Sequence, residues 1–271
     1  MEPHVLDYGT LGESRHTMEI DGLVVTETVH RPGSEIASHA HARAGFNLVL
    51  EGEYGEGMQG VFHVHPPATL IAKPAGEPHS NRFDERGARC LLVEFDAEWG
   101  DRLREMGDPL HEPAAWHAGT LAVSGVRALR ALRGGGPPPV AIEETAHQFL
   151  RHTADRRRLA VERTRPAWLR AVRERIHDTA PERVRLVELA AEARVHPAHL
   201  SEVFRRVFGL TISRYVERLR LERAVRELAA THDPVGRIAV RSGFYDHAHL
   251  TRAFRRATGT TPSAFRRAIR S

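Results

Sequence analysis

Leu186 to Gly209 reads LVELAAEARVHPAHLSEVFRRVFG, and Ile238 to Gly259 reads IAVRSGFYDHAHLTRAFRRATG. The two stretches are a weak repeat of one another. Leu200, Phe204 and Gly209 recur at the same spacing as Leu250, Phe254 and Gly259, with an Arg-Arg pair directly after each phenylalanine. Leucine and phenylalanine four residues apart share one helix face, and a glycine past the last turn supplies the left-handed residue that closes the helix. Shorter apolar runs, Leu186, Leu189 and Ala190, then Ile238 and Ala239, precede each of these helices. Each half therefore has the grammar of a helix-turn-helix unit. A long helix is expected from Ile212 to Ala230, with Tyr215, Leu219, Leu221, Ala224 and Leu228 on its apolar side, until Thr231–Pro234 breaks it. Two such units on one connecting helix can present their second helices to major-groove segments about 34 Å apart.

Trp168, Leu169, Val172 and Ile176 mark one more amphipathic helix, expected to end at Asp178–Pro181. Arg163–Pro166 is the expected interdomain hinge. From Pro166 to Ser271 there are 21 arginines, no lysine and 11 acidic residues, a formal charge of +10, whereas residues 1–165 carry −6. Codon bias accounts for arginine in place of lysine but not for the asymmetry between the two parts. A basic segment of this size is the footprint of a partner rich in phosphates.

The 271 residues give room for about two domains, at roughly 100–200 residues each. We place them at 1–160 and 161–271. No apolar run of about 18 residues is present to cross a membrane, and the start of the chain has no secretory pattern. A single cysteine, Cys90, excludes an internal disulfide and a Cys-rich zinc site. These features fit a cytoplasmic protein. Between residues 20 and 96, β-branched runs at Leu23–Val29, Phe46–Leu50, Thr69–Ala72 and Cys90–Phe95 alternate with Gly, Pro and His clusters, which predicts a sandwich or small barrel. From Ala97 to about Leu159 the period becomes helical, interrupted by the Gly/Pro run at 134–139. The expected fold class is α+β and multidomain, a β-barrel with accessory helices followed by an all-α tandem helix-turn-helix domain.

Helix geometry selects the side chains that face away from the buried stripe. In the second unit these are Asp246, His247, Ala248, Thr251, Arg252 and Arg255; in the first, Pro197, Ala198, His199, Ser201, Glu202 and Arg205. Arg252 is the strongest base-reading candidate, because a guanidinium grips guanine O6 and N7 together. Glu202 suits a cytosine amino group, or else only solubilises its helix. Arg205, Arg206, Arg255 and Arg256 are expected to hold phosphates, with intrahelical ion pairs as their alternative.

From Val184 to Ala268 the chain resembles the AraC/XylS family of bacterial transcription regulators. The likeness is carried by Leu189-Ala190, Leu200-Ser201, Phe204, Gly209, Tyr215, Arg220, Ala224, Ile238-Ala239, Gly243-Phe244, Phe254-Arg255, Gly259, Thr261-Pro262 and Phe265-Arg266. Phe265 replaces the family's usual tyrosine. The resemblance implies base contacts at Ala198, Ser201, Glu202, His247, Ala248, Thr251 and Arg252. It also implies double-stranded DNA as partner, a homodimer, a small-molecule effector and, for an activator, RNA polymerase.

Gly33, His39-Ala-His41 and Gly52, followed by Pro74-Ala-Gly76-Glu-Pro-His79, resemble the two cupin motifs. That likeness makes His39, His41 and His79 candidate ligands for a divalent metal. Two departures stand against it: Gly45 lies where a ligating glutamate is expected, and the second motif lacks its leading glycine and its asparagine. His63 and His65 read as a surface pair on a strand. Lys73, the only lysine, reads as a surface residue at a strand end, or else as a contact for an anionic effector. The competing functional class is a metal-dependent cupin enzyme with an appended helical domain, although no Ser/His/Asp or paired-carboxylate spacing stands out.

Overall fold

Two strands of unusual length, β5 (Gly45–Met58) and β8 (His79–Phe95), organise the first part of the computed structural model. The structure describes residues 4–7, 9–134, 140–161, 166–179 and 184–270. The chain divides into two units, Met1–Leu159 with Ala264–Ser271, and Ala160–Ser263. All but the first residue of the expected 134–139 loop, most of the 163–166 hinge and the end of the 178–181 helix stop lie outside the described residues.

Around β5 and β8 stand β1 (His4–Leu6), β2 (Glu13–Ile20), β3 (Leu23–His30), β4 (Glu35–His41), β6 (Val61–His65), β7 (Thr69–Lys73) and β9 (Ala114–His117). The strand path is β1-β4-β8-β5-β7-β9, with β3 also on β8, β2 on β3 and β6 on β5. β5 pairs with β7 along its first half and with β6 along its second; β8 pairs with β4 near its start and β3 near its end. Register shifts between Val49 and Glu51 and between Gly52 and Tyr54 bend the central pair. Gly52 is required at that bend: its φ is +71°, and a Cβ there would lie 1.8 Å from the Gly87 carbonyl oxygen.

Helices α1 (Ala97–Glu105), α2 (Leu121–Leu132) and α3 (Val140–Val161) follow. Phe46 on β5 meets Phe149 on α3 edge to face, with centroids 5.6 Å apart. α2 approaches so closely that a Cβ on Gly125 would fall 2.2 Å from a Leu48 methyl. One sheet face is thus sealed by apolar contact, while alternation sends the intervening side chains to the other face. Strand β9 lies within the segment expected to be helical throughout. It forms because Ala114–His117 pairs antiparallel with β7, a tertiary contact that four residues of sequence do not announce.

The second unit is helical: α4 (Ala167–Thr179), α5 (Leu186–Glu192), α6 (Pro197–Phe208), α7 (Ile212–Ala230), α8 (Val235–Arg241) and α9 (His247–Thr258), with α10 (Pro262–Arg270) beginning at its end. α6 and α9 both close on left-handed glycines, Gly209 at φ 68° and Gly259 at φ 73°. Leu169, Val172 and Ile176 of α4 pack with Leu189, Leu200, Phe204, Tyr215 and Val216 in one core. Farther along, α7 buries Leu221, Ala224, Val225, Leu228 and Ala229. At about 100° per residue these five lie roughly half a turn away from Tyr215 and Val216. α7 therefore packs against α6 with one face and, through its second half, against α8 and α9 with another.

Candidate nucleic-acid interface

The second helix of each repeat projects from its core in the same way. Leu200 and Phe204 anchor α6; Leu250, Ala253 and Phe254 anchor α9. Ala198, His199, Glu202, Arg205 and Arg206 are exposed along α6, as are His247, Ala248, Arg252, Arg255 and Arg256 along α9, with Ser201 and Thr251 half-buried at the edge of each row. The N-termini are held locally. His196 accepts from the Ala198 amide at 3.2 Å, and Asp246 accepts from the His249 amide at 2.6 Å. Asp246, which helix geometry had placed on the DNA-facing side, is therefore a cap.

The arginines divide into two classes. Arg206 donates to Glu202 one turn earlier at 2.5 Å, and Arg256 is ion-paired with Glu217 of α7. Among the described residues, Arg205, Arg252 and Arg255 make no ion pair, so three guanidinium groups on the two helices face solvent with their donors free. Glu202 is committed to Arg206. His199 lies against the Trp168 ring, with centroids 5.9 Å apart, and Ser201 Oγ donates to the Pro197 carbonyl at 3.0 Å. A groove of about 860 Å³ runs beside α6, lined by Ser201, Glu202, Arg205, Arg206, Thr211 and Arg220. Tyr245, 88% exposed directly ahead of α9, escaped the sequence reading. Its only signal is an aromatic residue in the turn beside a cap.

In the first unit His39, His41 and His79 do meet, each offering a ring nitrogen within 4.8 Å of the others. His39 Nδ1 lies 3.0 Å from the Ala37 carbonyl and His79 Nδ1 3.0 Å from that of Glu77. A carbonyl only accepts, so both Nδ1 atoms carry the proton and both Nε2 atoms carry the lone pair. Burial pushes His79 down to about 3, with the charge of Lys73 adding to the effect, and burial likewise lowers His39 and takes His30 to about 4. These rings are neutral at pH 7.

Two sequence expectations fail here. Lys73 is buried, not on the surface: its ammonium lies 2.8 Å from Glu56, 2.9 Å from the Tyr54 hydroxyl and 3.0 Å from His79 Nε2. Burial would depress the Lys73 ammonium, but Glu56 and Tyr54 more than offset this and hold it above the usual lysine range. The His63–His65 pair is also split, since His65 is buried 3.7 Å from Glu56 while His63 remains exposed. The space expected beside Gly45 is filled by Glu94, its register partner on β8. Glu94 reaches His41 Nδ1 at 3.4 Å and accepts from the Gly9 amide at 2.7 Å.

A helix-turn-helix domain model matches residues 189–268. A helix-turn-helix-type transcriptional regulator of Mycobacterium tuberculosis is 43% identical over 85 residues, 31% of this chain and 33% of that protein. The arabinose operon regulatory protein of Escherichia coli is 30% identical over 81 residues, 30% of this chain and 28% of its own length. The chain thus spans only about a third of the length of these relatives. Among solved structures, the DNA-binding domain of the global transcriptional factor AdpA in complex with a target DNA is 28% identical. It covers 38% of this chain and 92% of that one, with a TM-score of 0.36. The domain match and the paired glycine-capped helices agree: residues 189–268 are a helix-turn-helix domain, similar in sequence to segments of transcription regulators.

Proposed function

We propose that this chain is a sequence-specific DNA-binding transcription regulator that reads duplex DNA with α6 and α9. The observation that carries this reading is the free arginine row on two equivalent helices joined by a single connecting helix. α7 has 19 residues and is about 28 Å long at 1.5 Å per residue, commensurate with one turn of DNA. Arg252 reads guanine, while His247, Ala248 and Thr251 beside it, and Ala198 and Ser201 on α6, meet neighbouring base edges. Arg205 and Arg255 hold phosphates; Arg206 and Arg256 do so only by leaving their glutamates. Tyr245 lies against the sugar–phosphate backbone at the head of α9.

The sheet unit is the sensing and dimer-forming part, as cupin-like domains are in the family resembled, and RNA polymerase is the further partner if the chain activates. An organic effector does not suit the polar centre, whose hollow of about 10 Å³ is room for a single water. It suits the mouth beside His79, a cleft of about 390 Å³ lined by Ser38, Met58, Gln59, Phe62 and Ser80. The enzyme alternative draws no support from the relatives, whose matched segments belong to transcription regulators.

The test is selection of duplexes from a random pool by the full-length chain, followed by a salt titration on the selected site. A shared motif should emerge, and log K should fall with log salt by about 0.9 per phosphate neutralised. No enriched motif, or an affinity indifferent to salt, overturns the reading.

A further inference from the structure

The cupin likeness implies a divalent metal on His39, His41 and His79. Two features suit a metal. The three rings converge, and His39 and His79 each donate from Nδ1 to a carbonyl, as metal-bound histidines do. The third ligand is nevertheless already committed. His79 Nε2 is the lone-pair nitrogen, and Lys73 Nζ lies 3.0 Å from it. One lone pair cannot accept from an ammonium and ligate a metal.

Lys73 is not a casual visitor there. Its buried ammonium donates to the Tyr54 hydroxyl and to His79 Nε2 and is ion-paired with Glu56 Oε1 at 2.8 Å. Glu56 neutralises that ammonium rather than an ion. Glu94 lies 3.4 Å from His41 Nδ1 and accepts from the Gly9 amide at 2.7 Å. A divalent ion at the imidazoles would therefore face the fixed positive charge of Lys73, in a hollow of about 10 Å³.

We propose that the Lys73 ammonium is the resident cation of the sheet interior, holding the centre together in place of a divalent metal, so that this lysine alone separates the histidine cluster from a metal site. Removing the ammonium releases the His79 lone pair, frees the Glu56 carboxylate and opens the volume Lys73 fills. The three imidazoles are then free to ligate together, with the released Glu56 charge to balance a cation such as zinc or cobalt. The apo form of such a variant carries an uncompensated buried Glu56, so metal should also restore its stability.

Cobalt(II) and zinc(II) are the probes, with untagged full-length protein, equilibrium dialysis, elemental analysis and the visible absorption of bound cobalt. The native chain should retain no stoichiometric ion. Lys73→Ala should take one equivalent, raise its Tm on binding, and lose the ion when His79→Ala is added. Overturning results are one ion per native chain that His79→Ala abolishes, or a folded Lys73→Ala variant that takes none. Should that variant fail to fold, the native protein still decides. Lys73 is its sole lysine, so ¹⁵N-lysine labelling gives one side-chain ammonium signal. That signal should be unmoved by one equivalent of zinc, and its stoichiometric displacement overturns the proposal.

Discussion

The sheet interior buries Glu27, Glu56, Lys73, Arg89 and Glu94 together with five histidines, whereas between Pro166 and Arg270 Ser242 is the one buried polar side chain among the described residues. The same chain thus treats charge in two ways. In the sheet, ions taken out of water must be paired: Glu27 meets Arg89 and Arg133, and Glu56 meets Lys73. Such pairs fix geometry and occupy their partners. In the helical unit most arginines stay exposed over an apolar core, and among the described residues Arg205, Arg252 and Arg255 on α6 and α9 make no ion pair. Buried charge here specifies a shape; exposed charge is available for binding.

The largest effect that would break this comparison concerns Glu56. Glu56→Ala leaves the Lys73 ammonium buried without its counter-charge and should cost about 3–5 kcal/mol of stability. Arg205→Ala should stay within about 0.5 kcal/mol in the same denaturant titration. Equal losses would mean that the two regions do not differ as described.

Acid sharpens the same contrast. Glu27 would be raised by burial, but hydrogen bonds from Arg133 and His16 and the charges of Arg133 and Arg89 hold it at about 2, against 4.5 unperturbed. Between those values the unfolded chain binds the extra proton, so stability rises with pH there. The contribution, on the order of 3 kcal/mol, is complete above about pH 4.5 and disappears as pH falls through 2. Urea midpoints from pH 5 to pH 2 should fall more steeply for the native chain than for Glu27→Gln. Parallel curves would remove Glu27 from the account.

The smaller effects belong to the helical unit and appear in binding. Arg252→Ala should cost roughly 1–3 kcal/mol on the selected site and relax preference at one base position. Arg206→Ala should weaken all sequences alike, and by less, because its guanidinium already serves Glu202; breaking that pair should cost the helix only about 0.3–0.5 kcal/mol. A uniform loss in both variants, read from pool sequencing, would erase the division between reading and gripping arginines.

The helical unit was legible in the sequence to a degree that the sheet was not. α7 was expected over Ile212–Ala230 and runs over those residues, and Gly209 and Gly259 take the left-handed conformation their positions demand. β5 and β8 were seen only as fragments, because the Gly, Pro and His clusters between apolar runs read as breaks, while the structure keeps Gly52, Gly55 and Gly57 within one strand that bends at its bulges. The residue opposite Gly45 is 49 positions away in the chain, and no local pattern points to Glu94.

The sequence by itself determined the tandem helices, the faces they present and the charge asymmetry. Those properties rest on a period of 3.6, on glycine at helix ends and on short motif spacing, all of which act within a few residues. Only the tertiary structure decided that Lys73 is buried against Glu56 and His79, that Glu94 fills the space beside Gly45, and that Arg206 and Arg256 are engaged while Arg252 is not. An ion pair depends on distance and dielectric, and both are set by strands and helices that the chain brings together from far apart.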